Sequence, residues 1–291
     1  MPVREHLKIP VASDWIDLSP VASKVSECRL WLQIQMVSLA RSLVRYRIPA
    51  MLYRFAMNVF YCIRSVAYAG EEFICPCCGG RFSTFVRYGK NRECPGCGSF
   101  QRHRLLSLYL HNETDIFSMP MKLLYVAPER GLHAQFTACS TMEHVSIDLG
   151  SPLAEMKMDV TDLKFHDNTF DAILCYHVLE KVADDGKALS EFHRVLKPGG
   201  WAIIQSPIET SLAYTWCSRS VVSPLERAIA YGEYDDCRLY GLDYYDRLEQ
   251  AGFDVSAIDY VRTLDPETIR RNVLRKDSGR FPEELCIARK P

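Results

Sequence analysis

The chain has 291 residues, 48% of them hydrophobic, and a formal net charge of −1 at pH 7. This length can hold one large and one small domain, and the composition is that of a globular protein, not a disordered or fibrous one. We expect neither a secretory leader nor a membrane-spanning helix. The twelve cysteines therefore indicate a reducing compartment, the cytoplasm, where cysteines bind metal or pack in the core.

Charge is divided unevenly along the chain. Residues 1–110 hold 15 Lys and Arg against 7 Asp and Glu, a net of +8. The remainder holds 20 against 29, a net of −9. The basic part is the one suited to meet phosphates or an anionic membrane.

Residues 1–70 predict a basic, apolar, helical extension. Two helices are expected, at residues 30–46 and 49–68, and residues 28–70 contain six arginines and no acidic residue. One interpretation is an extension packed on the catalytic domain with solvated arginines. The other is peripheral contact of residues 28–70 with the inner face of a membrane, with the arginines among the headgroups.

Residues 71–111 predict a zinc ribbon. Cys75 and Cys78 belong to one C-P-x-C-G turn, and Cys94 and Cys97 belong to a second, fifteen residues further on. This spacing is typical of a zinc site. Four thiolates close the tetrahedral shell of Zn²⁺, so we predict a structural metal. Cys77 is the alternative ligand in the first turn, and four unligated buried cysteines are the remaining interpretation.

Arg102 and Arg104 follow the second turn and open an apolar helix. Both are candidates for holding a phosphate or carboxylate of the substrate. The alternative is a solvated first helical turn. Cations at a helix N-terminus oppose the macrodipole, which favours a dedicated role for them.

Residues 159–207 predict a strand, a helix and a second strand. Residues 170–175 (FDAILC) and 201–205 (WAIIQ) are apolar runs of strand length, and residues 182–196 have a helical period. The KPGG sequence at residues 197–200 stops the helix, because proline cannot continue it and glycine accepts positive φ. Two strands joined in this way form a right-handed βαβ unit.

Three of these elements together resemble the class I methyltransferases that use S-adenosylmethionine, of the methyltransferase type 11 kind. They are Phe170-Asp171, HVLEK at residues 177–181 and LKPGG at residues 196–200; Lys181 departs from the usual second histidine. The resemblance implies an α/β fold with a Rossmann-like seven-stranded sheet over residues 119–291. A wider resemblance, from about residue 73, is to bacterial methyltransferases that carry a cysteine-rich ribbon in front.

The resemblance also implies a cofactor loop after the strand at residues 122–127. Ala127, Glu129 and Gly131 occupy the place of the glycine-rich loop, and this branch often has A-P-E there. Ala127 allows close backbone approach, and Glu129 suits the ammonium group of the cofactor. Tyr125 stands where the superfamily has an acid in the strand, so this loop read alone would not predict a nucleotide.

Further cofactor residues are expected at the ends of the next two strands. Asp148, followed by Leu149, ends a strand where a carboxylate accepts ribose hydroxyls in Rossmann-like sites. The alternative for Asp148 is that it caps a turn. Asp159 matches the family's acid that meets the adenine amino group, and Val160 matches its apolar neighbour.

Cys175, Tyr176 and His177 leave the fourth strand at its carboxyl end, where open α/β sheets place ligands. We expect Cys175 and Tyr176 to border the methionine half of the cofactor. His177 is the candidate general base; the alternative is that it packs or caps the following helix. Methyl transfer needs mainly alignment and exclusion of water, and needs a base only where the nucleophile must lose a proton.

Residues 207–240 form an insert that we expect on the acceptor side. Asp236, Arg238 and Tyr240 resemble the family's D-H-x-R-x-Y-G element, with Cys237 in place of the histidine. We expect them either to line the acceptor pocket together with Arg102 and Arg104 or to brace the insert.

The sequence therefore predicts an S-adenosylmethionine-dependent methyltransferase that acts on a small-molecule, sugar or lipid-linked acceptor. An rRNA or tRNA methyltransferase that binds RNA through the ribbon is one alternative. The basic N-terminal part favours it, while the acidic remainder and the absence of an aromatic run in the ribbon sequence disfavour it. A non-catalytic binding protein with a degenerate cofactor loop is the other alternative.

Overall fold

The computed structural model describes residues 50–89, 91–275 and 284–291. The helix predicted at residues 30–46 lies outside them. The described residues fall into two compact units. The ribbon unit takes those of Met1–Arg104 and Pro266–Pro282, and the sheet unit takes those of Leu105–Asp265 and Glu283–Pro291.

The described helices are α1 (Ala50–Ala67), α2 (Gln101–Glu113), α3 (Arg130–Ala138), α4 (Asp185–Val195), α5 (Pro224–Tyr231), α6 (Tyr244–Gln250) and α7 (Pro266–Arg271), with 3-10 turns at Leu179–Lys181 and Tyr260–Thr263. The strands are β1 (Ala69–Ile74), β2 (Arg81–Phe82), β3 (Val86–Tyr88), β4 (Asn91–Glu93), β5 (Met121–Val126), β6 (Met142–Asp148), β7 (Met156–Lys157), β8 (Phe170–Tyr176), β9 (Leu196–Gln205), β10 (Asp254–Ile258) and β11 (Leu285–Arg289). Across these ranges no helix combines the length and hydropathy needed to span a membrane.

A seven-stranded sheet forms the sheet unit, in the order β10-β11-β9-β8-β5-β6-β7. β11 pairs antiparallel with β10 and β9, and the other neighbours are parallel. β8 is buried along nearly its whole length, because a mostly parallel sheet is covered on both faces. The predicted Rossmann-like seven-stranded sheet is confirmed.

The LKPGG segment is part of β9, not a turn outside the sheet. Leu196 pairs with Phe170 on β8, and the register then shifts so that Trp201 pairs with Ala172. Gly199 has a φ of 74° and its amide donates to a backbone carbonyl 2.9 Å away. The extra residues therefore form a bulge in the strand, and a glycine supplies the positive φ that the bulge requires.

One segment that the sequence assigned to the methyltransferase domain groups instead with the ribbon unit. It follows Asp265 and includes α7. Arg104 is the physical reason: its guanidinium donates to the carbonyls of Asn272, 2.8 Å away, and Val273, 2.6 Å away. A buried guanidinium must find acceptors for its N–H groups, and no local sequence pattern reveals acceptors 168 residues distant.

Within the ribbon unit, α1 packs on the ribbon and also exposes apolar side chains. Arg64 lies 3.0 Å from Glu93 and over the ring of Phe60, and the hydroxyl of Tyr61 donates to Glu93. Six large apolar side chains of α1 are exposed: Met51, Leu52, Phe55, Val59, Ile63 and Val66. The helix is thus amphipathic, but part of its apolar surface has no covering among the described residues.

Candidate functional site

Parallel pairing brings the carboxyl ends of β9, β8, β5, β6 and β7 to one edge of the sheet. Val126 lies beside Ile147 on β6 and beside Cys175 on β8, and Tyr176 lies beside Gln205 on β9. Ligands of open α/β sheets bind at this edge. The predicted cofactor residues all lie at it or in the loops that follow it: Ala127, Glu129, Gly131, Asp148, Leu149, Asp159, Val160, Cys175 and Tyr176.

The loop after β5 starts with an unusual backbone and is anchored by a tyrosine. Ala127 has a φ of 51°, in the left-handed region that non-glycine residues seldom adopt. Tyr125 is buried, and its hydroxyl accepts a hydrogen bond from the amide of Glu129 at 2.8 Å. Tyr125 therefore ties the loop to its own strand, a role hidden in the sequence because an acid is usual at that position. Gly131 is buried in the first turn of α3.

Two aspartates of the edge each cap a turn through one oxygen. Oδ1 of Asp148 accepts from the amides of Gly150 and Ser151, both at 2.6 Å. Oδ1 of Asp159 accepts from the amide of Thr161 at 2.8 Å and from its hydroxyl at 2.9 Å. The turn-capping alternative for Asp148 is thus realised. Neither Oδ2 accepts a hydrogen bond from the described residues, so each can take one from a ligand.

The apolar neighbours of these aspartates differ in exposure. Leu149 is 60% exposed, whereas Val160, Cys175 and Tyr176 are buried. Burial raises the pKa of the Cys175 thiol well above its usual value, and the charge of Glu180 adds to this effect. Cys175 therefore stays protonated and offers packing and backbone atoms, not a charge.

His177 ends β8 in the left-handed region, with a φ of 56°, and its amide donates to the carbonyl of Gln205 at 2.7 Å. Its Nδ1 lies 3.3 Å from Oε1 of Glu180, a carboxylate only 4% exposed. Oε2 of Glu180 accepts from the hydroxyl of Ser206 at 2.8 Å. Nε2 of His177 is buried without a hydrogen-bond partner in the described part of the chain, which costs about 1–3 kcal/mol. Sequence reasoning found His177 but assigned Glu180 to the first helical turn, and it missed Ser206, which contacts Glu180 only in three dimensions.

Ion pairs of Lys181 hold the insert after β9. Lys181, at the place of the usual histidine, lies 2.7 Å from Asp235 and 3.1 Å from Asp236. Burial lowers the pKa of Lys181, but the two carboxylates outweigh it and raise the pKa above its usual value. The amide of Cys237 donates to the carbonyl of Glu180 at 2.7 Å. At the position of the second histidine of HVLEH, this chain therefore has a lysine that pairs with carboxylates of the insert.

Asp185 gathers three further side chains. Arg238 lies 3.0 Å from Asp185 and donates to two backbone carbonyls at 2.8 and 3.2 Å. The hydroxyl of Tyr240 donates to Asp185 at 2.8 Å, and Arg247 donates to it at 2.8 Å. Because Asp236, Arg238 and Tyr240 are buried with their polar groups engaged, the structure favours the bracing alternative over the acceptor pocket.

The four predicted zinc ligands form one cluster in the ribbon unit. Their sulfurs lie within 4.8 Å of one another, with 3.7 Å between Cys75 and Cys97 and between Cys78 and Cys94. Zinc–sulfur bonds of about 2.3 Å in a tetrahedron place the sulfurs about 3.8 Å apart, so this spacing fits Zn²⁺. Cys77 lies outside the cluster, and its thiol donates to a backbone carbonyl of α2 at 3.4 Å.

The two arginines after the ribbon differ. Arg104 is fully buried, and its guanidinium donates to the backbone carbonyls of Arg92, Ser99, Asn272 and Val273. It is therefore neither a solvated helix residue nor open to a substrate, which corrects both sequence interpretations. Arg102 is half-buried, with its guanidinium 5.1 Å from the centre of the Phe100 ring, and it remains a candidate for an anionic ligand.

Part of this chain matches a known protein family. Residues 96–204 match the methyltransferase domain family. The demethylmenaquinone methyltransferase of Streptomyces avermitilis is 38% identical over 79 residues, which is 25% of this chain and 33% of that protein. The ubiquinone/menaquinone biosynthesis C-methyltransferase UbiE of Idiomarina loihiensis is 35% identical over 80 residues, 26% of this chain and 32% of that protein. The chain thus spans about a third of the length of these relatives.

Two solved structures that this chain resembles are more distant in sequence. The [4+2]-cyclase SpnF is 17% identical with a TM-score of 0.46, covering 66% of this chain and 84% of that one. A SAM-dependent methyltransferase from Archaeoglobus fulgidus is 18% identical with a TM-score of 0.43, covering 64% of this chain and 93% of that one. The sheet order is that of a Rossmann-like seven-stranded sheet, and the match to the methyltransferase domain family covers residues 96–204 of the 291-residue chain.

Proposed function

We propose that this protein is an S-adenosylmethionine-dependent methyltransferase whose acceptor is a small molecule, a sugar or a lipid-linked compound. The observation that carries the proposal is that Asp148, Asp159 and His177 all follow or end strands at the carboxyl edge of the parallel part of one sheet. The match of residues 96–204 to the methyltransferase domain family supports it.

The edge offers a group for each part of S-adenosylmethionine. Oδ2 of Asp148 suits the ribose hydroxyls, Oδ2 of Asp159 suits the adenine amino group, and the buried Val160 offers an apolar surface beside it. We assign Glu129 to the ammonium group and the backbone of Ala127 to close approach by the cofactor. We also assign four further residues to the cofactor site: Gly131, Leu149, Cys175 and Tyr176.

S-adenosylmethionine, when bound, supplies a methyl group on a positively charged sulfur. The residues of the chain then have to align the acceptor with that methyl group and exclude water. Cys175 and Tyr176 are buried at the edge and suit the exclusion of water. His177 is the proton acceptor for a nucleophile that carries a proton.

The names of the relatives suggest which acceptor to test first. Two of them are named for demethylmenaquinone and for ubiquinone or menaquinone, and a third, 46% identical over 52 residues, is named a 2-phytyl-1,4-naphtoquinone methyltransferase. The shared segment is short, covering 23% to 33% of those proteins. A reduced quinone ring is therefore the first candidate within the small-molecule and lipid-linked classes.

Calorimetric titration of the full chain with S-adenosylmethionine tests the cofactor assignment. Asp148→Ala should weaken binding by about 1.5–3 kcal/mol, the net worth of hydrogen bonds to a charged group. Asp254→Ala, an exposed aspartate of β10, is the matched control and should bind as the unchanged chain does. The absence of binding by the unchanged chain would contradict the proposal and favour a non-catalytic protein.

Transfer of a labelled methyl group then separates the acceptor classes. The labelled cofactor is supplied with 1,4-dihydroxynaphthalene, with a mixture of sugars, and with total tRNA and rRNA. Label in the first two arms supports the proposal. Label only in RNA, with a rate that falls steeply with salt, would replace it with the RNA methyltransferase alternative.

We also propose that Cys75, Cys78, Cys94 and Cys97 hold one structural zinc ion. The 3.7 Å sulfur spacing supports this, and four protein ligands leave no open position for chemistry. The zinc would therefore contribute folding free energy and not a catalytic step.

A peripheral membrane contact is proposed for residues 28–70, at the inner face of the membrane of a cytoplasmic protein. Phe55 and Val66, for example, are 65% and 76% exposed on α1. Exposed apolar side chains next to a segment with six arginines and no acidic residue suit an interface of anionic lipids. Such a contact would bring a lipid-linked acceptor to the enzyme.

A further inference from the structure

The contacts around His177 indicate which kind of methyl acceptor the site can use. His177 follows β8 at the carboxyl edge, and its Nδ1 lies 3.3 Å from Oε1 of Glu180. Glu180 is buried, and its second oxygen accepts the hydroxyl of Ser206 at 2.8 Å. Ser206 directly follows β9, so the three side chains join the ends of two adjacent strands.

This arrangement determines which nitrogen of His177 can accept a proton. A neutral imidazole has one N–H and one lone pair, and the hydrogen bond made by one nitrogen sets the state of the other. A carboxylate beside Nδ1 favours the proton on Nδ1, which leaves the lone pair on Nε2. Nε2 is buried and has no hydrogen-bond partner in the described residues, so a ligand that brings a proton to it would satisfy it.

We propose that Glu180 and Ser206 are positioning residues that hold His177 with Nε2 as the proton acceptor. The methyl acceptor is then a nucleophile that carries a proton, such as the hydroxyl group of a phenol or a quinol. This inference rests on the proposed methyltransferase function. The new bond to the methyl carbon forms as the methyl–sulfur bond breaks, the electron pair of that bond stays on sulfur, and the acceptor's proton passes to Nε2.

Other titratable side chains lie near the pair. Burial raises the pKa of the Cys175 thiol, and Glu180 adds to the rise. Burial also raises the pKa of Asp236, opposed by Lys181 and reinforced by Glu180. The centre of the Tyr176 ring lies 5.8 Å from that of His177. Lys181 is itself engaged with Asp235 and Asp236, so it does not replace Glu180 as the partner of His177.

Nuclear magnetic resonance of the full chain with ¹⁵N-labelled histidine tests the positioning without any acceptor. His177→Gln identifies the signals of His177. We expect the neutral ring to carry its proton on Nδ1. Glu180→Gln should move this proton towards Nε2, because an amide oxygen accepts a hydrogen bond less strongly than a carboxylate. Ser206→Ala should move it less, and Glu249→Gln, an exposed glutamate of α6, should not move it.

The kcat of methyl transfer to 1,4-dihydroxynaphthalene tests the chemical role. His177→Gln should lower kcat about 100-fold or more, as expected for loss of a general base, with little change in the affinity for S-adenosylmethionine. Glu180→Gln should lower kcat and likewise leave that affinity unchanged. An unchanged kcat in Glu180→Gln, or an unchanged position of the His177 proton in both Glu180→Gln and Ser206→Ala, would overturn the inference.

The outcomes distinguish this inference from the function on which it rests. Failure of the unchanged chain to bind S-adenosylmethionine would remove both. Cofactor binding and methyl transfer by the unchanged chain, together with a His177 proton whose position does not change in Glu180→Gln, would remove the positioning role alone. Should Glu180→Gln fail to fold, Ser206→Ala removes a single hydroxyl and keeps both measurements decisive.

Discussion

The guanidinium of Arg104 donates from Nε to the backbone carbonyl of Asn272, 2.8 Å away and 168 residues further along the chain. Three more carbonyls complete its set of acceptors. A cation with this set of partners stabilises the unit in which it is buried, and it attaches the segment after α7 to the ribbon. The R-H-R sequence after the second cysteine turn is therefore in part a structural element.

Replacing this cation should destabilise the ribbon unit. Arg104→Met keeps an unbranched side chain but leaves four backbone carbonyls, buried or partly buried, without their donor. We expect a loss of about 3 kcal/mol or more, since each unsatisfied buried polar group costs about 1–3 kcal/mol. Denaturant unfolding measures it. Arg219→Met, at an exposed position, is the control, and equal stability of the two variants would contradict the bracing role.

The zinc proposal makes a prediction about metal content. Protein purified without chelator should hold one zinc ion per chain by elemental analysis. Cys94→Ser should lose it and unfold the ribbon, because metal binding and folding of such sites are coupled. Cys77→Ser should keep it, since that thiol lies outside the cluster and contacts a carbonyl. Retention of zinc by Cys94→Ser would show that the ligand set is wrong.

The membrane proposal concerns the exposed side chains of α1. The full chain should float with vesicles that contain anionic lipid and stay in solution with vesicles of zwitterionic lipid alone. Phe55→Ser with Ile63→Ser should abolish flotation. Leu225→Ser with Ile229→Ser alters two apolar residues of α5 that are similarly exposed and should leave it intact. Equal flotation of both double variants would argue against α1 as the contact.

Two histidines that pack against neighbouring side chains predict a loss of stability in acid. Partial burial lowers the pKa of His111, an exposed residue that stacks on Phe117. Burial, and then the charge of Lys290, lowers the pKa of His193. A folded pKa below the unfolded value of about 6.5 favours the neutral form, so this part of the stability is present above that pH and is lost as pH falls through the folded pKa.

Urea unfolding at a series of pH values between about 7.5 and 5, the range in which histidine changes its charge, measures this effect. The double variant His111→Gln with His193→Gln should lose less stability on acidification than the unchanged chain. Parallel curves for the two proteins would show that other groups cause the acid sensitivity.

Local patterns in the sequence are sufficient for much of this protein. The apolar run of β8, the helical period before Val195 and the paired C-x₂-C spacing each act over a few residues, where the side-chain period and the ligand geometry leave little choice. They determine the strand–helix–strand unit and the four-sulfur cluster, while the seven-stranded sheet is implied only by the resemblance to class I methyltransferases. The aspartates at the strand ends follow from the same order, because parallel strands end at one edge.

Contacts between residues far apart in sequence are decided only by the tertiary structure. LKPGG extends β9 because its glycine amide finds a carbonyl beside β11. Ser206 lies 26 residues from Glu180, and no periodic pattern joins them. Arg104 and Asn272 meet because a buried charge must find acceptors wherever the fold supplies them. The sequence alone determines which side chains stand near the strand ends. Tertiary packing decides which of their polar atoms are engaged and which, like Nε2 of His177, have no hydrogen-bond partner among the described residues.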